Sequence, residues 1–434
     1  MYTNRHIWNI SYPIFLSLLA QNVINVTDTA FLGRVGEVEL GASAMGGLYY
    51  ICAFTIAFGF STGSQIVIGR RNGERNFPAI GPVVIQGILF LMALAGGLFL
   101  VSRMWAGNLM RLMISSEEIW NATMEYLDWR LFGFFFSFVN VMFRALFVGI
   151  TRTKVLTLSA AVMAVVNVML DYLLIFGHAG LPKMGLQGAA IASVAAEAFA
   201  VGFFLVYTFL TVDRRKYGLN RFRSFDLKLL RQILNISVFM MLQYFVSMST
   251  FFLFFIVVER LGQRELAIAN IVRSIYIVMF IPVNALSTTT NTMVSNLMGA
   301  GKFPMVIPLI RRIAGISMGI MLLFSAMLSL FPETNDVSLI ASSVPSVYVI
   351  ALATLCCSVA SIVFSGVSGT GNTRSAFGLE MIVLVVYTLF IYVSGIWLQQ
   401  PVHICFIAEI VYFSGLLIVS VAYLRWSAWD RKKI

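Results

Sequence analysis

Charge is scarce in this chain. Only 11% of its 434 residues are Asp, Glu, Lys or Arg, against about 25% in a soluble globular protein, which argues against a soluble enzyme. Histidine is scarcer still: His6, His178 and His403 lie far apart and at proposed membrane edges, leaving no zinc pair. The four cysteines, Cys52, Cys356, Cys357 and Cys405, sit in apolar segments and never in a CxxC spacing. Cysteine behaves there as a small hydrophobe, so neither a disulfide framework nor a metal site follows. Gly299-Ala300-Gly301-Lys302 lacks the earlier glycine and the following Ser or Thr of a phosphate-binding loop. The glycine-rich turn around Gly369 precedes an apolar helix, with no strand before it, and reads as a helix end. No cleavable signal peptide is expected, because the first apolar run is too long and no small-residue cleavage site follows it. No catalytic loop or His/Asp/Cys constellation is evident, so the expectation is a non-enzyme without a cofactor.

What the chain has in quantity is apolar length, with 59% hydrophobic residues. Twelve segments, near 7–32, 44–69, 82–102, 124–148, 155–177, 186–211, 229–258, 266–297, 308–331, 338–366, 375–398 and 402–424, are long and apolar. About 20 helical residues at a rise of 1.5 Å cross the roughly 30 Å hydrocarbon core of a bilayer. The fold expected is an all-α membrane protein of twelve transmembrane helices. With a cytoplasmic amino terminus, the loops on that side carry 21 Lys and Arg, and the opposite loops carry six: Arg34, Arg103, Arg111, Lys183, Arg260 and Arg264. That asymmetry follows the positive-inside rule and places both termini in the cytoplasm of a plasma (inner) membrane. The net charge of +11 is then a topology signal with anionic lipid as its partner, and nucleic acid is not implied.

The halves repeat. A shift of 226 residues puts Ser61-Thr62-Gly63-Ser64-Gln65 on Ser287-Thr288-Thr289-Thr290-Asn291, and Arg34, Gly36, Glu39 and Leu40 on Arg260, Gly262, Glu265 and Leu266. Gly73 and Phe77 fall on Gly299 and Phe303, and a shift of 220 puts Gly149 and Thr153 on Gly369 and Thr373. The organisation expected is a six-helix lobe over 1–212, a basic cytoplasmic linker over 213–228 and a second six-helix lobe over 229–434. Six being even, both copies enter from the same side, as a parallel repeat about a pseudo-two-fold axis along the membrane normal. A cavity between such lobes, opened by rocking to either side, is a natural substrate site.

Two acids stand deep in the first half, Asp28 in the first span and Asp171 in the fifth. A carboxylate there costs several kcal/mol unless a proton, an ion or a partner compensates it, so ion passage is the first explanation. Asn167 and Asp171 are four apart and share a helix face, as do Gln21 and Asp28, seven apart, with Asn25 close by. Carboxylate, amide and hydroxyl oxygens suit an alkali cation such as Na⁺, and carboxylates also suit a proton. Interhelical hydrogen bonding alone would equally account for Gln21 and Asn25. Glu197 is either a further member of the site or the partner of a basic group such as Arg144, and Arg273 reads as a structural counter-ion. Glu380 and Glu409 sit near span ends, where reaching to water is the default. The second half has Phe254 and Ile391 at the counterparts of Asp28 and Asp171, which makes the first lobe the expected coupling lobe. Met240, Gln243, Tyr244 and Phe254 are candidates for an adaptable substrate cavity.

The six-plus-six repeat, Asp28, the Asn167-x-x-x-Asp171 pair, and the turns at Gly149/Thr153 and Gly369-Thr370-Gly371-Asn372-Thr373 resemble the multidrug and toxic compound extrusion (MATE) family over essentially the whole chain. The resemblance implies export of organic, often cationic or amphipathic compounds by antiport against Na⁺ or H⁺. It implies a cation-coupling set of Asp28, Asn167, Asp171, Ser193, Gln21 and Tyr126, with Pro13 as the point where the first helix bends. Gln243 stands where another branch of the family carries an acid, which points to DinF-like members. A monomer exporting small organic molecules is expected. The alternatives are a lipid-linked oligosaccharide flippase, which would need a cationic cavity, and an exporter of an endogenous metabolite.

Overall fold

The computed structural model describes residues 3–220, 225–329 and 339–431. Arg221, Arg223, Lys432 and Lys433, which contribute to the basic loops, lie outside the described residues, as do the end of the proposed ninth span and the start of the tenth. Among the described residues there are helices and no strands. In lipid every backbone polar group must be satisfied within its own segment, and a helix does this.

In chain order the helices are α1 (Asn4–Val35), α2 (Glu37–Gly73), α3 (Ile80–Met113), α4 (Glu117–Arg130), α5 (Gly133–Gly149), α6 (Lys154–Phe176) and α7 (Gly185–Thr211). The second series is α8 (Leu227–Leu261), α9 (Gln263–Gly299), α10 (Val306–Ser329), α11 (Leu339–Gly369), α12 (Thr373–Ile391), α13 (Val402–Cys405) and α14 (Ile407–Trp426). Among the described residues eleven are long and apolar enough to cross a membrane, and α4 with α5, bent by 53° at their break, brings the number to twelve when counted as one broken span. The sequence had this span as one run, 124–148. Two further departures are local: α12 runs on into a π-helical turn at Tyr392–Trp397, and the last span opens with the short α13. Trp8, Trp105, Trp129, Trp397 and Trp426 are exposed near helix ends, the placement expected of interfacial anchors.

The repeat is visible in the element bounds. α2 and α9 are each 37 residues and are offset by 226 at both ends, and the 3₁₀ turns Phe77–Ala79 and Phe303–Met305 keep the same offset. Packing repeats too. A Cβ on Gly149 would lie 2.6 Å from the Ile68 side chain and 3.3 Å from the Gln65 carbonyl oxygen. A Cβ on Gly369 would lie 2.6 Å from the Asn291 carbonyl oxygen and 3.1 Å from the Val294 Cβ. Residues 65 and 68 become 291 and 294 under the shift, so the same turn of the second span receives the same glycine in each half. Only a residue without a side chain permits that approach.

The chain divides into two compact units, 12–237 on one side and 1–11 with 238–434 on the other. In the first unit, α6 packs along α7, and α2 along α5 and α4. In the second, α11 packs against α9, α14 and α10. Its apolar core gathers Phe254, Val257, Val258, Ile268, Val272, Ile350, Tyr387 and Phe406.

Candidate functional site

Two contacts fix α1 against α6 along their length. The Thr157 hydroxyl donates to the Pro13 carbonyl at 3.0 Å, and the rings of Phe31 and Phe176 meet edge to face at 5.6 Å. The steps from 13 to 31 and from 157 to 176 run the same way, so the two helices are parallel. Between these contacts stand Asp28, Asn167 and Asp171. The orientation of the Asn167 amide that satisfies both neighbours has its nitrogen donating to Asp28 Oδ1 at 3.0 Å and to Asp171 Oδ2 at 3.2 Å. Asn167 and Asp171 are 1% and 0% exposed, and Asp28 is half-buried. Asp171 Oδ1 is buried without a hydrogen-bond partner. A buried, unpartnered carboxylate oxygen is costly and is a point at which a cation or a proton binds well.

The remaining expected members are distributed differently. Tyr126 is buried on α4, its ring against Gly46, where a Cβ would lie 2.5 Å from it. Ser193 is half-buried on α7, and Gln21 and Asn25 are exposed on α1. None of these three is hydrogen-bonded to the Asp28–Asn167–Asp171 group. Pro13 lies inside α1, which stays one continuous helix. In the second unit Met240 and Phe254 are each 2% exposed, with the Phe254 ring 4.9 Å from that of Phe406. Gln243 is buried with its Oε1 unpartnered, and Tyr244 is half-buried.

Glu197 has a partner, and it is Arg130. The guanidinium donates to both carboxylate oxygens, Nη1 to Oε2 at 3.1 Å and Nη2 to Oε1 at 2.8 Å. It also lies over the Tyr50 ring, 3.5 Å from the centroid. The Tyr50 hydroxyl is 3.2 Å from each Glu197 oxygen and 2.8 Å from Ser137 Oγ. Arg144, the partner suggested by sequence, instead lies 5.0 Å from the Phe58 ring centroid. Arg273 is placed over Phe255, 5.3 Å from its centroid.

The expectation that Glu380 and Glu409 reach to water is corrected for Glu380. It is 3% exposed on α12, and its Oε1 accepts from Ser247 at 2.7 Å and from Tyr412 at 2.8 Å. Its Oε2 has no partner. Glu409, half-buried, accepts from Tyr387 at 2.8 Å. The second unit thus has intramembrane acids of its own, at positions the repeat does not align with Asp28 and Asp171. Spacing carried a signal for them: Glu380 and Tyr387 are seven apart, Glu409 and Tyr412 three apart, so each acid shares a face with a tyrosine.

Comparison with known proteins adds a family. The MatE family profile matches residues 13–173 and 240–393. The "Probable multidrug resistance protein NorM" of Agrobacterium fabrum is 25% identical over 328 residues, 75% of this chain and 70% of that protein. The protein of the same name from Rhizobium meliloti is 28% identical over 219 residues, so the match spans 50% of this chain and 45% of that relative. Among solved structures, that of the eukaryotic MATE transporter AtDTX14 superposes with a TM-score of 0.87 at 14% identity, covering 98% of this chain and 96% of that one. At that identity the likeness speaks for the fold.

Proposed function

This chain belongs to the MatE family, and from that premise we propose that it exports small organic, often cationic or amphipathic compounds by antiport against Na⁺ or H⁺. Asp28, Asn167 and Asp171 bind the driving ion. The observation that carries this is their convergence on one buried point, with Asp171 Oδ1 left unpartnered. Two carboxyl groups bridged by one amide repel when both are charged, so an empty site favours taking up a cation or proton. Uptake from one side and release to the other, with substrate moving in the opposite sense, is alternating access. Ser193 adds an oxygen to the ion's ligands, Tyr126 and Gln21 stand at the rim, and Gln243 and Tyr244 contribute to the substrate path. The loop charges orient both termini to the cytoplasm of a plasma membrane.

A flippase for pyrophosphate-linked lipids would need free positive charge in the membrane. Arg130 is already neutralised by Glu197, and the three-residue group carries two acids. Export against a cation fits these charges better.

Purified protein in liposomes tests the reading, with efflux of ethidium driven either by a Na⁺ step at constant pH or by a pH step without Na⁺. At least one gradient should drive export by the wild type, and neither should drive export by Asp28→Asn. Wild-type rates from Asp28→Asn under the productive gradient would reject the site.

A further inference from the structure

Glu380 is 3% exposed inside the second unit, and among the described residues no lysine, arginine or histidine forms an ion pair with it. A carboxylate left in such a place is costly. Ser247 Oγ from α8 lies 2.7 Å from its Oε1, and the Tyr412 hydroxyl from α14 lies 2.8 Å from the same oxygen. Oε2 is buried with no partner. The Tyr412 ring meets that of Tyr387 edge to face at 5.7 Å, and Tyr387 donates to Glu409 at 2.8 Å. Tyr276 of α9 and Cys357 of α11 pack in the same apolar cluster as Tyr412. The titratable groups around Glu380 are thus Tyr412 and Glu409 from α14, Tyr387 from its own helix, Tyr276 from α9 and Cys357 from α11. On α8, Tyr244 stands three residues before Ser247. Arg273, three residues before Tyr276, lies over Phe255 instead.

The hydrogens do not add up for an ionised acid. Ser247 Oγ is also 2.8 Å from the Gln243 carbonyl, which can only accept. Three close oxygen–oxygen contacts result: Ser247 to Gln243, Ser247 to Glu380, and Tyr412 to Glu380. Each hydroxyl carries one hydrogen, so Ser247 and Tyr412 supply only two. A proton on the carboxyl supplies the third. Ser247 then donates to Gln243 and accepts from Glu380, while Tyr412 donates to Glu380. That proton also removes the unpaired charge and leaves Oε2 as a neutral carbonyl oxygen, far cheaper to bury bare than half of a carboxylate. When the proton leaves, Ser247 can turn its one hydrogen from Gln243 to Glu380, and both hydroxyls then face the new charge. The same atoms serve both states.

We propose that Glu380 is a proton-binding site of the second unit, loaded in this structure and unloaded in another state of the transport cycle. The ligand is the proton itself: release gives one H⁺ to water and leaves the electron pair on the carboxylate. A Na⁺ would need several oxygens with lone pairs turned toward it, whereas here one carboxyl and two hydroxyls are engaged with one another. Loss of the proton places an uncompensated charge among α8, α12 and α14, and so favours a packing of those helices that admits water or a counter-ion. Proton occupancy and helix packing are linked in this way. The role in the cycle rests on the export reading; proton binding at Glu380 stands without it.

Infrared difference spectra of the full chain in liposomes, taken between acidic and alkaline buffer, test the site directly. The wild type should lose a carbonyl band of a protonated carboxylic acid, one that moves in D₂O. That band should be missing from Glu380→Gln and kept in Asp28→Asn. Should Glu380→Gln fail to fold, Tyr412→Phe carries the same measurement. It removes one donor to the acid, and should change the proton concentration at which the band is lost about tenfold or more. Ethidium efflux then tests the exchange: Glu380→Gln, fixed in the neutral form, should export at least about tenfold more slowly than wild type at equal abundance. A difference spectrum that Glu380→Gln leaves unchanged, or wild-type efflux from that variant, would overturn the proposal. Loss of the Glu380 band when Na⁺ is added to Asp28→Asn at constant pH would make the ligand a metal ion and overturn it equally. If Asp28→Asn exports at wild-type rates and keeps the band, the first-unit coupling site falls while the proton site at Glu380 holds.

Discussion

At the scale of the residue, the chain places its few intramembrane charges in two kinds of setting. Asp28 and Asp171 share one amide and leave an oxygen open, whereas Glu197 is closed by a two-point guanidinium contact. The first arrangement suits a group that binds and releases, the second a group that stays. Asp28→Asn and Asp171→Asn should each reduce dye efflux at least about tenfold, a loss of about 1.4 kcal/mol or more in the driven step. Resistance to cationic dyes in an efflux-deficient bacterium, at equal protein abundance, measures it. Wild-type resistance in both variants would remove the coupling assignment. Glu380 tests the other half of the molecule. Glu380→Gln keeps an acceptor for Ser247 and Tyr412, while Glu380→Ala removes it and leaves Ser247 only the Gln243 carbonyl at 2.8 Å, at about 1–3 kcal/mol. The alanine variant should therefore melt below the glutamine variant in detergent, and equal melting temperatures would mean that the hydroxyls find other partners.

At the scale of the element, two joints stand out. One is the break between α4 and α5, where Gly133 gives room to the Arg130–Glu197 pair. Gly133→Ala forces side chains or backbone to shift and should cost about 1–3 kcal/mol, as overpacking does. Its thermal melting curve in detergent should move down, with Gly96→Ala, where a Cβ meets nothing within 4 Å, as the control that stays put. The other joint is Pro13. It removes one backbone donor from α1, and its own carbonyl is held by Thr157. Such a helix is easy to bend, and α6, which provides that anchor, also provides Asn167 and Asp171. Spin labels at the two ends of α1 should report a distance change when the driving ion is added and removed, and Pro13→Ala should reduce that change. An unchanged distance in the wild type would show that α1 does not respond to the ion.

At the scale of the whole molecule, the identity of the driving ion follows from how many oxygens the site needs. A dehydrated Na⁺ requires several oxygen ligands, while a proton needs one carboxylate. Asn167→Ala and Ser193→Ala should weaken Na⁺-driven efflux strongly and leave pH-driven efflux largely intact. If both variants match the wild type under both gradients, no Na⁺ cage exists, and Asp28 and Asp171 act as proton carriers.

Span number, the internal repeat and the prominence of Asp28, Asn167 and Asp171 were legible in the sequence, because each depends on information local in the chain. A run of about 20 apolar residues partitions into lipid whatever its neighbours are, and a duplicated half betrays itself through a constant offset. Sharing a face on α6 likewise needs only the helical period, which put Asn167 beside Asp171 before any fold was known. Other features required tertiary packing. Which basic residue closes Glu197 depends on the facing of α4, α5 and α7: the sequence suggested Arg144, and Arg130, fourteen residues earlier, is the one in place. Glu380 looked free to reach water by position along its span, yet Ser247 from α8 and Tyr412 from α14 enclose it. Phe254 looked like a cavity residue and packs on Phe406. The physical reason is one of range: transfer into lipid and helix formation are settled within a segment, whereas pairing, burial and the 53° bend are settled by which helix faces which.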